Sequence, residues 1–386
     1  MNLNNIEIAF KIQSNRDLKN GRFLFTLIKR PFIVRTLGGM SNLALKIGFP
    51  VSWAVKPTLY RHFVGGETIN ECLPAVRKMW SEQVASILDY SVEAAENETD
   101  VAETMQEILR SIENAGQQDC VPFSVFKPTA LVKSDVLKKA SSGALTGNEM
   151  KAFDDFVQRV DTLCAAAEKS GKPIMIDAED FWFQPAIDEV TERMMLKYNK
   201  NRAVVYATLQ MYRHDRLDYL DRLIEMSKKE NFIIGVKYVR GAYMEKERAR
   251  AAAGSYLSPI YPTKQDTDKA FNEALRRSVE NIDRMQVFCG THNEESILKL
   301  TQYMKDKGLP NDYERICFSQ LYGMSDNLSF NLAAEGYKVA KYLPYGKIRN
   351  VLPYLIRRAE ENSAIAGQTT RELVMIKEEL KRRHSK

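Results

Sequence analysis

Residues 173–210, PIMIDAEDFWFQPAIDEVTERMMLKYNKNRAVVYATLQ, hold the reading on which the fold turns. A short β-rich run, Pro173–Asp177, is followed by a longer amphipathic stretch, Pro185–Tyr198, and then by a second β-rich run, Ala203–Ala207. The same alternation continues outward. Strands are expected near Val84–Tyr90, Ser124–Lys127, Phe232–Val239, Gln286–Gly290, Arg315–Ser319 and Lys338–Tyr342, which brings the set to eight. Helical patterns fall at Ala152–Lys169, Leu217–Lys228, Asp266–Asn281 and Glu294–Lys307. Strands alternating with helices of this length imply βα units and parallel pairing. Eight of them over roughly 270–280 residues match a (β/α)8 barrel in count and size. A doubly wound sheet usually announces itself with G-x-G-x-x-G after a strand; neither that loop nor a P-loop is present.

The chain has 386 residues, 44% hydrophobic and 27% charged, as expected of a soluble globular protein. No run of 18 apolar residues exists, so no membrane-spanning helix is expected. Net charge is +6, too mild to argue for nucleic acid. The five cysteines are Cys72, Cys120, Cys164, Cys289 and Cys317, none in a C-x-x-C pair. With Met1–Phe10 polar and holding Glu7, no secretory leader is expected, and a reducing compartment fits. Four histidines without zinc-like spacing leave no metal site.

Before the alternation begins, residues 1–80 read as a helical arm; residues 81–386 read as the barrel with C-terminal helices. Gly65-Gly66 breaks the chain, and Thr68-Ile-Asn-Glu71 is a capping box that predicts a helix start. From Lys19 to Gly66 there is no Asp or Glu, while eight cations stand among Phe23, Leu24, Phe25, Leu27, Ile28, Phe32, Ile33, Leu45, Ile47, Phe49 and Trp53. That mixture suits peripheral contact with an anionic bilayer. The competing account is an arm packed on the barrel with its charges solvated.

In this fold the active site gathers at the carboxyl ends of the strands. There stand Asp89 and Glu93, Lys127, Asp177, Gln210, Lys237 and Arg240, Thr291-His-Asn293, Gln320-Leu321 and Tyr342. Any one of these is ordinarily a solvated loop residue; the set outlines a polar, cofactor-sized site. Beyond them, Tyr354, Arg357, Arg358 and Glu361 are spaced to share one helical face. Two guanidinium groups there suit a planar carboxylate. The plainer alternative is a salt-bridged solvent face. His292, with no second histidine in reach, suits cofactor contact better than a metal.

These residues carry a resemblance. Phe63-Val-Gly-Gly-Glu-Thr-Ile69, Asp177-Ala-Glu-Asp-Phe-Trp-Phe-Gln-Pro-Ala186, Lys237-Tyr-Val-Arg-Gly-Ala-Tyr243, Thr291-His-Asn293, Gln320-Leu-Tyr-Gly-Met324, Tyr342-Leu-Pro-Tyr-Gly346 and Tyr354-Leu-Ile-Arg-Arg358 occur in order. Together they resemble the proline dehydrogenases, FAD-dependent (β/α)8 enzymes, in the stand-alone form of the mitochondrial type. The resemblance implies a final helix over the barrel mouth. It also implies that Arg357, Arg358 and Lys127 hold the L-proline carboxylate, and that Tyr342, Tyr354 and Leu321, with Tyr243 nearby, wall its ring. Asp177 would orient the basic and tyrosine side chains, and Glu93 would match a gate carboxylate. For FAD it implies Gln210 on the isoalloxazine edge, Lys237 near N5, and backbone approach at Gly241 and Ala242 beside Arg240. Lys264 would meet the pyrophosphate. Thr291, His292, Asn293, Gln320 and Glu361 would meet the remainder. Bifunctional bacterial members carry Arg where Lys237 stands, so the cation is kept here and its hydrogen-bond fork is lost.

The implied reaction is proline oxidation to Δ1-pyrroline-5-carboxylate. With the chain ending at Lys386, no aldehyde-oxidising domain is expected, and a membrane quinone is the implied acceptor. The expected location is the cytoplasm with peripheral inner-membrane contact, the mitochondrial matrix being the alternative. Rivals are another flavin barrel, a hydroxyproline-specific homologue, against which the crowding Tyr342 hydroxyl speaks, and a non-enzymatic membrane-surface protein.

Overall fold

A computed structural model describes residues 2–28, 59–92, 94–352, 354–356 and 366–385. In chain order its principal elements are α1 (Ile6–Ala9), α2 (Asn15–Ile28), α3 (Arg61–Phe63), α4 (Ile69–Trp80), β1 (Val84–Tyr90), α5 (Glu98–Gly116) and β2 (Ser124–Phe126). Then come α6 (Ser134–Ser141), α7 (Asn148–Ser170), β3 (Ile174–Ile176), α8 (Gln184–Tyr198), β4 (Val205–Gln210), α9 (Arg216–Glu230) and β5 (Ile234–Val239). The remainder are α10 (Met244–Ala253), α11 (Lys264–Glu280), β6 (Met285–Gly290), α12 (Glu294–Asp306), β7 (Ile316–Leu321), α13 (Asp326–Ala334), β8 (Val339–Tyr345) and α14 (Ala366–His384). The eight strands form one sheet in the order β1-β8-β7-β6-β5-β4-β3-β2, a (β/α)8 barrel. Each strand the sequence predicts is present, β1 with the expected bounds and the others with shifted ends.

The shifts have physical causes. β4 begins only at Val205 because the Asn199 side chain captures the Val204 and Val205 N–H groups on its Oδ1. It then runs on to Gln210, since a barrel interior accepts polar side chains toward its strand ends. β8 continues past Tyr342 through Pro344 to Tyr345, so Tyr342 stands mid-strand. The Pro344 carbonyl accepts the Gly65 N–H there. Lys237 likewise lies inside β5 rather than at its end.

The chain divides into two compact units. One comprises residues 93–319 and 336–338 and carries β2 to β6. Its strands are almost continuously buried, as parallel strands covered on both faces require. Three of its helices start on side-chain caps: Asn97 for α5, Thr263 for α11 and Asn293 for α12.

The other unit comprises residues 1–92, 320–335 and 339–386. β1 pairs β8 over seven residues, from Val84 with Val339 to Tyr90 with Tyr345. Thr68 caps α4 by accepting from the Glu71 N–H; the Glu71 carboxylate reaches back to the Glu67 N–H, one residue beyond the expected partner. Leu18, Leu24, Phe25 and Ile28 of α2 share one apolar core with Phe63, Val64, Val351, Leu352, Leu355, Leu373, Ile376 and Leu380. α14, one of the C-terminal helices expected within residues 81–386, thus completes the core of the N-terminal arm. Phe25 stands edge-on to His62 and Phe63, with ring centroids 5.2 and 6.5 Å apart. Phe23, one residue from the buried Leu24, is 59% exposed. Packing therefore accounts for Leu24, Phe25 and Ile28 of the acid-free stretch. Residues 29–58, which hold most of its cations and Phe32, Ile33, Leu45, Ile47, Phe49 and Trp53, lie outside the described residues. Among the described residues no helix is long and apolar enough to cross a membrane.

Phe25→Ala should lower unfolding stability by about 3–5 kcal/mol, as truncation of a buried aromatic does. Phe23→Ala should stay within about 0.5 kcal/mol. Urea unfolding followed by circular dichroism measures both, and equal effects would remove Phe25 from the core.

Candidate active site

In the unit that carries β2 to β6, Lys127 directly follows β2 and Asp177 directly follows β3; the Asp177 N–H donates to the Phe126 carbonyl. The Asp177 carboxylate lies 3.4 Å from Lys127 Nζ through Oδ2 and pairs with Lys237 Nζ through Oδ1. Lys237 is 5% exposed. Three residues far apart in sequence thus meet: Lys127 and Asp177 follow the neighbouring parallel strands β2 and β3, and Lys237 reaches Asp177 from within β5. Two ammonium groups to one carboxylate leave the trio one positive charge in excess. Such a floor attracts an anion or favours negative charge developing above it.

Glu179, inside the Asp177–Ala186 motif but unassigned by sequence reasoning, is buried. Its carboxyl accepts from the Thr129 N–H at 2.7 Å and the Thr129 hydroxyl at 2.6 Å. It ties the turn after Lys127 to the loop after β3. Burial pushes its carboxyl up to about 7, against the pull of the two Thr129 hydrogen bonds and the Lys127 charge.

Along β4 and β5 the geometry changes from charge to cradle. Gln210 is 3% exposed, and its Oε1 is buried with no hydrogen-bond partner among the described residues. A buried amide oxygen left in this state is expected to meet a ligand or water. Gly241 has φ +123°, and a Cβ there would come 2.5 Å from the Tyr212 ring. Glycine is required at that turn because the Tyr212 ring fills the space a side chain would need. Ala242 is exposed and Tyr243 half-buried beside it. The Gln210 oxygen, unpartnered among the described residues, fits the polar edge of a planar cofactor such as a flavin.

Arg240 is the second node. Its Nε pairs with Asp268 at 2.7 Å, its Nη1 with the Thr291 hydroxyl at 2.5 Å and its Nη2 with the Ser296 hydroxyl at 2.9 Å. The guanidinium lies 4.4 Å over the Phe271 ring. Asp268 also pairs with Lys264. Burial opposes its ionisation, but the hydrogen bonds from Lys264 and Arg240 hold its carboxyl below the usual range. Thr291 accepts the Asn293 N–H as well, and Asn293 caps α12 through the Ser296 N–H. Thr291 and Asn293 therefore shape the loop around His292. Asp268, Ser296 and Phe271 escaped sequence reasoning because each stands inside a helix pattern, away from any strand end.

In the other unit, Gln320 and Leu321 close β7, and Gln320 Oε1 accepts from the Ser329 hydroxyl at 2.6 Å. Tyr342 and Tyr354 are half-buried. Glu93, Arg357, Arg358 and Glu361 lie outside the described residues. No group of three or more His, Cys, Asp or Glu arranged to hold a metal occurs among the described residues.

A sequence profile described as proline dehydrogenase matches residues 72–371. The carbapenem antibiotics biosynthesis protein CarD of Pectobacterium carotovorum subsp. carotovorum is 37% identical, over 83% of this chain and 83% of that one. Proline dehydrogenase 1, mitochondrial, of Dictyostelium discoideum is 33% identical, over 89% of this chain and 68% of that one. Among solved structures, proline utilization A from Bdellovibrio bacteriovorus, inactivated by N-propargylglycine, superposes with a TM-score of 0.73 at 21% identity. That match covers 92% of this chain and 38% of the longer protein, so it speaks for the fold alone.

Because Glu179 keeps its proton from about pH 4.5 to about 7 in the folded chain but loses it near 4.5 when unfolded, the fold binds more protons in that window. Its contribution to stability must fall as pH rises through the window and level off above it. Glu179→Gln keeps an acceptor for the Thr129 N–H and cannot ionise. The difference in unfolding free energy, variant minus wild type, should therefore climb between about pH 4.5 and 7. A difference that stays flat would mean that Glu179 is ionised throughout.

Proposed function

We propose a specific reaction for this chain, which belongs to the proline dehydrogenase family and is therefore an oxidoreductase acting on proline in proline catabolism. It oxidises L-proline to Δ1-pyrroline-5-carboxylate with FAD as cofactor, the electrons passing on to a quinone. The observation that supports this reading is the Lys127–Asp177–Lys237 trio, a cationic floor, together with the buried Gln210 oxygen that has no partner among the described residues.

Lys127 binds the substrate carboxylate together with Arg357 and Arg358, and charge-assisted bonds to that group fix the ring's orientation. Tyr342, Tyr354, Leu321 and Tyr243 wall the ring and exclude water. Asp177 holds the two lysines in place, and Glu93 gates entry. The FAD, when bound, supplies a hydride acceptor for the ring C5. Gln210, Gly241, Ala242, Lys264, Thr291, His292, Asn293, Gln320 and Glu361 form its cradle, with Arg240 bracing the loops. Lys237, held by Asp177, sets a positive charge where negative charge accumulates on reduction. Proline gives up a hydride from C5 and a proton from nitrogen, which leaves the C=N bond of the product. The amine must be neutral for the hydride to leave, so turnover rises with pH.

A quinone dissolved in lipid has to be met at a membrane face. The acid-free stretch within residues 19–66 is the segment we assign to that peripheral contact, in the cytoplasm at the inner membrane. The mitochondrial designation of the Dictyostelium relative favours the matrix as the alternative setting.

Purified protein should be yellow, and L-proline should bleach its flavin under anaerobic conditions, with a soluble quinone restoring the colour. Protein with stoichiometric FAD that keeps its spectrum in saturating L-proline would refute the reaction. Replacing Arg357 or Arg358 with Met should raise KM for L-proline roughly 10- to 100-fold, the cost of an unmade charged hydrogen bond, while FAD content is spared. An unchanged KM in both variants would move the carboxylate site elsewhere.

A further inference from the structure

After Gln320 and Leu321, β7 turns through Tyr322-Gly-Met-Ser325 into α13. Gly323 has φ +76° and Ser325 φ +51°, so the turn doubles back through two left-handed residues. A turn of this kind cannot satisfy its backbone from a regular ladder and needs partners from elsewhere. It finds them at widely separated places in the chain. From β8, Lys341 donates to the Met324 carbonyl, stands 3.5 Å from the Leu321 carbonyl and pairs with Asp326 at 2.7 Å. From α3, His62 Nε2 meets the Gly323 carbonyl at 2.9 Å. From α14, Glu372 accepts the Ser325 N–H. From the segment before α2, Gln13 donates to Asp326 at 2.5 Å.

The grip is buried. The Lys341 side chain is 1% exposed and Glu372 is 5% exposed. Two carboxyl groups, Asp326 and Glu372, share this interior with one ammonium. Burial pushes Glu372 up to about 7, and the Asp326 charge adds to that effect. An apolar residue of similar volume would fill the space on α14 without the cost of a second buried acid. Glu372 is thus poorly explained as a stabiliser of α14 and well explained as an acceptor for the Ser325 N–H.

We propose that Glu372 is a positioning residue for the substrate: with Lys341 it holds the Gln320–Ser325 turn so that Leu321 stands where the proline ring needs its wall. α14 then tunes substrate affinity while contributing no residue that touches substrate. This inference rests on the reaction assigned above, in which Leu321 lines the ring.

The test uses the full-length flavoprotein, read by steady-state oxidation of L-proline with a soluble quinone and by thermal unfolding. Glu372→Leu removes the Glu372 acceptor from the Ser325 N–H and should raise KM for L-proline roughly 5- to 30-fold. It should leave kcat within about two-fold and FAD content unchanged, because the ring is held less well but the reacting atoms are untouched. Glu372→Gln restores an acceptor and should return KM to within about two-fold of wild type, a rescue that a packing role does not predict. Glu372→Asp, which withdraws the acceptor by one methylene but keeps the charge, should fall between Leu and Gln, and it decides the matter if the Leu variant does not fold. A wild-type KM in the Leu or the Asp variant overturns the proposal, as does a Gln variant no better than Leu. Wild-type protein that L-proline does not bleach overturns the reaction and this inference together; bleached wild type with unmoved variants overturns only the inference.

Discussion

One carboxylate shared between two lysines governs the strand ends of the unit that carries β2 to β6. Lys127 and Lys237 arrive from different strands, and in a site shielded from water their like charges would drive them apart. Asp177 turns that repulsion into a fixed arrangement. Across the same strand ends Arg240 works in reverse, one guanidinium gathering Asp268, Thr291 and Ser296 into a single brace. The feature of these strand ends that invites a ligand is the buried Gln210 oxygen, unpartnered among the described residues. Charge fixes the walls, and the cradle is what remains open.

A second device occurs twice. Glu179 and Glu372 are both buried acids, both pushed up to about 7 by burial, and both accept from a backbone N–H in a turn that follows a strand. One turn follows Lys127, the other follows Leu321. In each case the acid comes from a distant part of the same unit. A hydrogen bond from a fixed backbone N–H does more to define a loop than a flexible surface ion pair, which contributes little.

The barrel was legible in the sequence because its strands are short β-rich runs separated by amphipathic helices, and both periodicities survive in residues 173–210. Lys127 and Asp177 were legible too, as polar residues where an apolar run stops; Lys237 was expected at a strand end and stands inside β5. The strand ends misled at β4 and β8, where Thr208, Gln210 and Pro344 resemble terminators but belong to the sheet. Glu372 left no signal: it stands in a charged helix whose pattern reads as solvated, and its burial follows from the docking of α14 against α2 and α1. The same holds for Asp268, one acid among several on α11. Nothing in a local pattern tells which of these carboxylates faces inward, because the partner lies tens or hundreds of residues away.

The shared core of α2 and α14 has a consequence for biosynthesis. Phe25 and Ile28 need Leu373, Ile376 and Leu380 to close over them, and the Arg383 guanidinium reaches the Phe10 and Gln13 carbonyls. β1 likewise waits for β8. At cellular elongation rates of about 5–20 residues per second, the first thirty residues are out of the ribosome for roughly 20–70 s before their partners are made. The unit holding β2 to β6 is contiguous but for three residues and can condense meanwhile. The arm cannot, and its apolar stripe is the part of the nascent chain that most needs a chaperone.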